Sequence, residues 1–279
     1  MRNKKTITEL LKEKLSDKEI KAVPKSYDIV GDILLFIDFP DELKRNERFI
    51  GECFLKFHKN IKVVAKKTES YSGRFRTPKI RIIAGARRKN TEHKENNVRL
   101  RLDVEKTYFS ARLANERLRI AKQVKNNEDV LVMFSGVGPY VCVIAKNTGA
   151  KSVTGIEINK KAHHYAEENI RLNKIKNAEA ILGDVREIVP KLDREFDRII
   201  MPLPKGGEDF LGLALSRIKK KGIVHFYDFL HEKEFKNAEK KIKKACRESS
   251  KKCKILGVVK CGQYAPRTYR ICVDFQVSW

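Results

Sequence analysis

The sequence predicts an α/β protein: a mostly parallel sheet wound with helices on both faces, preceded by a smaller α+β domain. Three observations predict it. From residue 130 onward, short apolar runs of strand character alternate with helical patterns, the mark of strand–helix–strand units. The run Val130-Leu-Val-Met-Phe134 ends in Ser-Gly-Val-Gly138, and an apolar helical segment follows at once. Glycines suit a sharp strand-to-helix turn that lets a ligand approach the backbone, and the helix N-terminus offers free N–H groups. Finally, Ser152-Val-Thr-Gly-Ile-Glu157 reads as a second strand ending in an acid, nineteen residues after Gly138. Nucleotide-binding folds place a carboxylate there against ribose hydroxyls. The turn reads G-V-G-P-Y with no third glycine. That disfavours a pyrophosphate-bearing dinucleotide and favours a nucleoside without phosphates, such as S-adenosylmethionine.

Taken in order, Ile7, Leu10, Leu11 and Leu15 at helical spacing predict a short amphipathic helix within residues 1–23. Tyr27 to Phe39 predicts two strands around Gly31-Asp32, a hairpin signal, stopped by Pro40. A helix is expected over 42–58, a strand over 62–66, a loop over 71–76 and a strand over 80–84. His93 to Asn97 reads as a polar turn, and the alternation of Val98 to Val104 as a half-buried strand. After a helix over 113–124, strands are expected at 130–134, 152–156, 178–182, 196–201 and 222–229. The intervening helices fall at 139–148, 160–173, 207–220 and 231–248, and two closing strands at about 254–261 and 268–277 have no helix between them. Five parallel strands with a terminal antiparallel hairpin outline a class I, Rossmann-like methyltransferase sheet. The domain border is placed at 96/97, giving a small α+β domain over 1–96 and the Rossmann-like domain over 97–279.

The 279 residues suffice for two domains with cores of their own. Their 61 basic against 36 acidic residues leave a net charge of +25 and a pI near 9.8. Thermal adaptation enriches Lys and Glu together and keeps the balance near neutral, so an excess this large points to a polyanion, above all nucleic acid. The six cysteines form no C-x-x-C pair. This argues against a zinc ribbon or a disulfide-stapled secreted domain, and reduced thiols in a cytoplasmic protein are expected. No signal peptide and no apolar run of about 18 residues appears, so no membrane span is expected. No metal site is expected either, and the chain is expected to be a monomer.

In an open parallel sheet, ligands sit beyond the carboxyl ends of the strands where strand order reverses. Four such ends are informative: Gly136 with Gly138, Glu157, Asp184, and Pro202-Leu-Pro204. Asp184 can accept a hydrogen bond from the exocyclic amine of an adenine. Its plain structural role is to cap a short helix over 185–188. Two prolines flanking Leu203 give a stiff corner whose carbonyls face whatever binds above the sheet.

Several separated stretches in order carry a family resemblance: Tyr108-Phe-Ser-Ala-Arg-Leu-Ala-Asn-Glu-Arg117, Met133-Phe-Ser-Gly-Val-Gly-Pro-Tyr140, Met201-Pro-Leu-Pro-Lys205 and Gln263-Tyr-Ala-Pro-Arg267. They resemble the archaeal and eukaryotic tRNA (guanine-37, N1)-methyltransferases. Tyr27-Asp-Ile-Val-Gly-Asp32, Gly73-Arg-Phe-Arg76 and His93-Lys-Glu-Asn96 extend the resemblance almost to the N-terminus. It implies methyl transfer from S-adenosylmethionine to the purine 3′ to the anticodon. The cofactor would be held by Phe109, Phe134, Gly136, Gly138, Pro139, Glu157, Ile158, Asp184, Val185 and Pro202. Longer relatives carry an extra N-terminal domain that touches the tRNA elbow. Here the matching part begins near residue 25, so substrate selection is expected to be looser or to rest on the anticodon arm.

By the same resemblance Glu116 is the general base that takes the proton from guanine N1, and Arg76 hydrogen-bonds O6, where negative charge develops. N1–H is mostly protonated near neutrality, so attack on a sulfonium methyl needs both a base and an oxyanion partner. A structural alternative for Glu116 is an ion pair with Arg112 or Arg119 on its own helix. Arg76 can equally serve as a phosphate contact.

Three departures stand out. Val132 replaces an Asp usual before the glycine loop, Tyr140 replaces a Phe, and Pro202-Leu-Pro204 replaces Asn-Leu-Pro. Pro-Leu-Pro resembles an archaeal subgroup of wyosine synthesis, which methylates C7 of the tricyclic imidazopurine imG-14 in tRNA(Phe), with or without guanosine N1 methylation. Arg117, beside Glu116, would share that larger pocket with Pro202 and Pro204. Two other readings stand beside this one: an aminocarboxypropyl transferase of wyosine synthesis, which typically carries Gly-Tyr where this chain has Gly-Pro, and a non-catalytic RNA-binding protein on a degenerate fold. Reaching N1 in a stacked loop requires base flipping, and Tyr108 and Phe109 are candidates to stack on the everted base. Arg74, Arg87, Arg88, Lys89, Lys160, Lys161, Lys205 and Arg267 are candidate phosphate contacts.

Overall fold

A computed structural model describes residues 5–72 and 77–279. The chain forms two compact units, the first made of Met1–Lys94 with Leu100–Ala111, the second of Glu95–Arg99 with Arg112–Trp279. A single cut at 96/97 would assign Leu100–Ala111 to the second unit. That segment folds with the first because Glu105 binds there, accepting from the Ile80 N–H at 3.1 Å and from Lys89 at 2.6 Å.

The first unit opens with two helices, α1 (Ile7–Leu11) and α2 (Asp17–Ala22), where one was expected. Each has its own capping box, Thr6 with Glu9 and Ser16 with Glu19. Such a box satisfies orphan N–H groups at a helix start, so Ser16 begins a new helix instead of continuing the old one. The hairpin β1 (Tyr27–Val30) and β2 (Ile33–Phe36) turns at Gly31-Asp32 as expected. Helix α3 (Glu47–Phe57) follows a 3₁₀ turn over Asp41–Asn46. Strand β3 (Val63–Ser72) is longer than expected and includes Tyr71 and Ser72, which were assigned to a loop; it pairs with β4 (Thr77–Gly85). These strands form a sheet of order β1-β2-β3-β4. Its core gathers Leu11, Leu34, Phe36, Ile50, Phe54 and Val64. A separate ribbon joins β5 (Asn90–Glu95) to β6 (Val98–Asp103), so the expected polar turn narrows to Asn96-Asn97, both at positive φ.

The second unit begins with α4 (Ala114–Ala121). There follow β7 (Asp129–Met133), α5 (Pro139–Asn147), β8 (Ser152–Glu157), α6 (Lys160–Leu172) and β9 (Ala178–Leu182). Next come α7 (Val185–Ile188), β10 (Phe196–Met201), α8 (Leu211–Ser216), β11 (Ile218–His231), α9 (Phe235–Glu248), β12 (Lys252–Ala265) and β13 (Thr268–Ser278). The sheet order is β12-β13-β11-β10-β7-β8-β9. Its strands β11, β10, β7, β8 and β9 are parallel, and β13 and β12 run antiparallel at one edge. This is the expected doubly wound sheet with its closing hairpin.

One sheet face packs Leu131, Met133, Ile199 and Phe226 against apolar side chains of α7, α8 and α9. The Lys-rich stretch at 216–221, expected on a helix, instead opens β11, which is fourteen residues long. Its lysines lie where the β10–β11 register shifts, between Phe196 and Arg198, and that irregularity hides the strand in the sequence pattern. All six cysteines are free. Among the described residues no helix is long and apolar enough to cross a membrane.

Candidate active site

The carboxyl ends of β7, β8, β9 and β10 form a rim, and the residues read as cofactor ligands in the second unit gather along it. Phe134 leaves β7 at φ 58°, followed by Gly136 at φ 59° and Gly138 at φ 78°. Positive φ at alternate positions bends the chain back so that Pro139, at the first helical position, starts α5. A side chain on Gly138 would also meet the Ala166 methyl of α6 at 3.2 Å.

Glu157 ends β8 and is fixed by backbone donors: Gly136 N–H reaches Oε2 at 2.7 Å and Asn159 N–H reaches Oε1 at 2.8 Å. Burial pushes the Glu157 carboxyl up, and the backbone donors oppose that shift. A carboxylate has about four acceptor sites, so Glu157 retains capacity for hydroxyl donors such as a ribose diol. Ser135 Oγ, in the loop beside it, is buried and has no hydrogen-bond partner among the described residues. Asp184 caps α7, accepting from Arg186 N–H at 2.9 Å. Arg186 lies 4.5 Å from the Phe210 ring centroid, and Phe210 meets Phe134 edge-on at 4.9 Å. A half-buried carboxylate, fixed N–H groups and an aromatic edge suit a nucleoside, so the residues present fit S-adenosylmethionine. Val185 is different: its side chain is in the sheet core. Phe109 belongs to the first unit, where it lines a small cleft with Val30, Leu35 and Leu102 and meets His93 edge-on at 5.1 Å.

Glu116 is only 6% exposed on α4. The ion pair with Arg119 is present, Nε to Oε2 at 2.7 Å and Nη2 to Oε1 at 2.8 Å. Tyr227 of β11 donates its hydroxyl to Oε1 at 2.5 Å and accepts from the Tyr140 hydroxyl at 2.9 Å. Burial pushes the Tyr227 hydroxyl far up, so it stays protonated and remains a donor. Arg119 also binds Asp274 at 2.5 Å. Asp274 takes His225 Nδ1 at 2.6 Å, and Arg198 Nη1 lies 2.7 Å from His225 Nε2. Arginine only donates, so Nε2 accepts and the proton sits on Nδ1: the imidazole is neutral. Burial lowers the His225 pKa, in agreement. Arg198 completes the chain on Glu128, Nε to Oε2 at 2.8 Å.

His225 Nδ1, Cys272 Sγ and an Asp274 oxygen lie within 4.8 Å of one another, a spacing that metal ligands share. Two guanidinium groups already border this cluster, and their charge opposes a cation there.

Arg117 does not stand beside Glu116 in this network. It forms a buried pair with Glu95, both N···O distances 2.5 Å, with its side chain 2% exposed. Pro202 and Pro204 make the expected corner, and Leu203 N–H is consumed by Met201 O at 2.8 Å. The corner therefore offers no backbone donor. Arg76 and Arg74 lie outside the described residues. Of the other candidate phosphate contacts, Arg88 is paired with Asp32 and Lys89 with Glu105. Sequence reasoning missed Tyr227, His225 and Asp274. The available signal was polar residues at every second position, His225 and Tyr227, in a segment where Ile223, Val224, Phe226 and Phe229 are apolar.

Comparison with known proteins places the chain in a family. The profile of the TRM5/TYW2 methyltransferase domain matches residues 91–256, and that of the TYW2 N-terminal domain matches residues 7–88. The chain is 42% identical to tRNA (guanine(37)-N(1))-methyltransferase Trm5b of Pyrococcus abyssi, over 92% of this chain and 76% of that protein. It is 35% identical to the Nanoarchaeum equitans protein tRNA (guanine(37)-N(1))/4-demethylwyosine(37)-methyltransferase Taw22, over 78% of this chain and 88% of that one. A solved complex of aTrm5 and tRNALeu superposes with a TM-score of 0.86 at 35% identity, covering 99% of this chain and 79% of that one. The chain belongs to the TRM5/TYW2 methyltransferase family.

Proposed function

We propose that this chain methylates the purine at position 37 of tRNA, at N1 of guanosine and, on tRNA carrying the wyosine precursor, at C7 of the tricyclic base. One observation carries the reading. A two-bond path, Tyr140 to Tyr227 to Glu116, ties the candidate base to the first turn of the helix that opens at the glycine loop. Side-chain hydrogen bonds thus link the proton acceptor on α4 to the start of the helix that follows the cofactor ledge.

When bound, S-adenosylmethionine supplies an electrophilic sulfonium methyl. Gly136, Glu157 and Asp184 would hold its nucleoside, with Phe134, Pro139 and Ile158 around them. Glu116 would take the proton from N1–H and so free the N1 electron pair for the methyl group that the bound cofactor would supply, the carbon–sulfur bond pair leaving with the thioether. Two Arg119 bonds and one Tyr227 bond occupy three of its acceptor positions, and the Cys261 thiol also abuts it. A thiol is the weakest of these donors and the one that an incoming N–H displaces. Arg76 keeps the role that the family resemblance gives it, donor to O6, and the Pro202-Leu203-Pro204 corner has no backbone donor to give. That same donor-free, apolar corner favours the second substrate, a broader and flatter base. The anticodon arm as binding determinant, a monomeric state, the absence of a catalytic metal and a cytoplasmic location belong to this proposal.

The test is incubation with tRNA transcripts bearing G or A at position 37, and with tRNA bearing the tricyclic intermediate, followed by nucleoside mass spectrometry. One added methyl on G and on the tricyclic base, with none on A, is the expected result. An aminocarboxypropyl gain, or no product from any tRNA, overturns the reading.

A further inference from the structure

Above Tyr227 the wall of the site carries an aromatic pair that no step so far has used. Met201, the last residue of β10, pairs with Phe226, yet β11 continues to His231. At about 3.3 Å per residue, the ribbon of β11, β13 and β12 therefore rises roughly 16 Å past the end of β10. Side chains alternate along a strand, so His225, Tyr227 and Phe229 share one face. Tyr227 bonds Glu116. One step further out, about 7 Å along the strand, the Phe229 ring lies against the Tyr264 ring, centroids 4.3 Å apart and planes inclined by 31°. The Arg270 guanidinium is 5.1 Å from the Phe229 centroid.

Tyr264 is 68% exposed, the highest value among the exposed large hydrophobic residues that the structure describes. With one face on Phe229, that exposure leaves the rest of the ring to solvent. Its neighbours in sequence add Arg267 at the hairpin turn, itself exposed. An exposed ring inclined against a second ring, which itself carries a guanidinium, suits a nucleobase, whose face stacks and whose phosphates are anionic. The net charge of +25 favours the same partner over a protein or lipid tail.

We infer that Tyr264, backed by Phe229, is the stacking platform for the nucleotide adjoining the everted purine. The inference rests on the tRNA reading above: with the target at Glu116, the next base falls within reach one step up the same strand face.

The experiment uses the full chain, tRNA and its anticodon-arm fragment, with 2-aminopurine placed on either side of position 37. Tyr264→Ala should weaken binding of the arm about tenfold or more and abolish the 2-aminopurine quenching on one side, while Tyr264→Phe and Tyr264→Trp retain both. Cofactor affinity and the rate at saturating tRNA should stay unchanged in all three. If the wild-type chain methylates tRNA but Tyr264→Ala binds the arm within about twofold of it, the platform is wrong although the function stands. A change in self-association with arm binding unaltered also overturns it. Absence of methyl transfer by the wild type refutes the functional reading instead.

Discussion

Two clusters on one sheet hold their carboxylates in opposite ways. At the cofactor ledge, Glu157 is fixed by main-chain N–H groups of Gly136 and Asn159 and keeps acceptor capacity for a ligand. At the base cluster, Glu116 is fixed by side chains, Arg119 and Tyr227, which are themselves wired through Asp274 and His225 to Arg198. Backbone donors cost nothing to order once the loop has formed, and they make a binding shelf. Side-chain ion pairs must be desolvated and satisfied together, which makes the second cluster a stability element as much as a chemical one.

The sharpest way to break this contrast is at its deepest ion pair. Arg198→Met removes the fully buried guanidinium from Glu128 and His225 and should cost about 3–5 kcal/mol of unfolding free energy in urea titrations. A loss below about 1 kcal/mol would make the chain a surface-like ornament. Next in size, Glu157→Ala should weaken cofactor binding about 10- to 100-fold by calorimetry, the worth of losing charge-assisted hydrogen bonds, without changing tRNA affinity. A matching loss of both would mean that Glu157 only supports the fold.

Smaller, and specific to the side-chain cluster, is a pH effect. His225 is neutral in the fold and its pKa is depressed below 6.5 by burial. The unfolded chain therefore binds more protons as pH falls below about 6.5, and stability declines through the window down to the depressed folded value. Asp274 adds to the loss at lower pH: burial opposes the shift, yet His225 and Arg119 hold its carboxyl well below the usual range. Stability in urea should fall by up to about 2 kcal/mol between pH 7 and 5, and His225→Gln should flatten that limb. An equally steep limb in the variant would place the titrating group elsewhere.

The same contrast explains what was legible in the sequence. The ledge is local: strand, glycines and helix follow one another, and the acid ends the next strand, so pattern and spacing place Gly136, Gly138 and Glu157 together. The base cluster is not. Arg119 meets Asp274 across 155 positions and Tyr227 meets Glu116 across 111, and no period in the sequence encodes such pairs. Sequence offered the Glu116–Arg119 pair only because helical spacing makes it local. The unexpected length of β11 has a similar origin, since a run of lysines at a register shift looks like a solvated helix face. Arg117 shows the limit of adjacency: next to Glu116 in sequence, it points to Glu95 instead.

The account turns on Glu116 as proton acceptor, and Glu116→Gln tests it most directly because the amide keeps the shape and can keep the bonds at Oε1 from Tyr227 and Arg119, while giving up basicity and the second Arg119 bond. Single-turnover methylation of guanosine-37 tRNA should slow by about 10²–10⁴-fold, with cofactor and tRNA dissociation constants unchanged. A rate close to that of the wild type would contradict the assignment and return Glu116 to a purely structural ion pair.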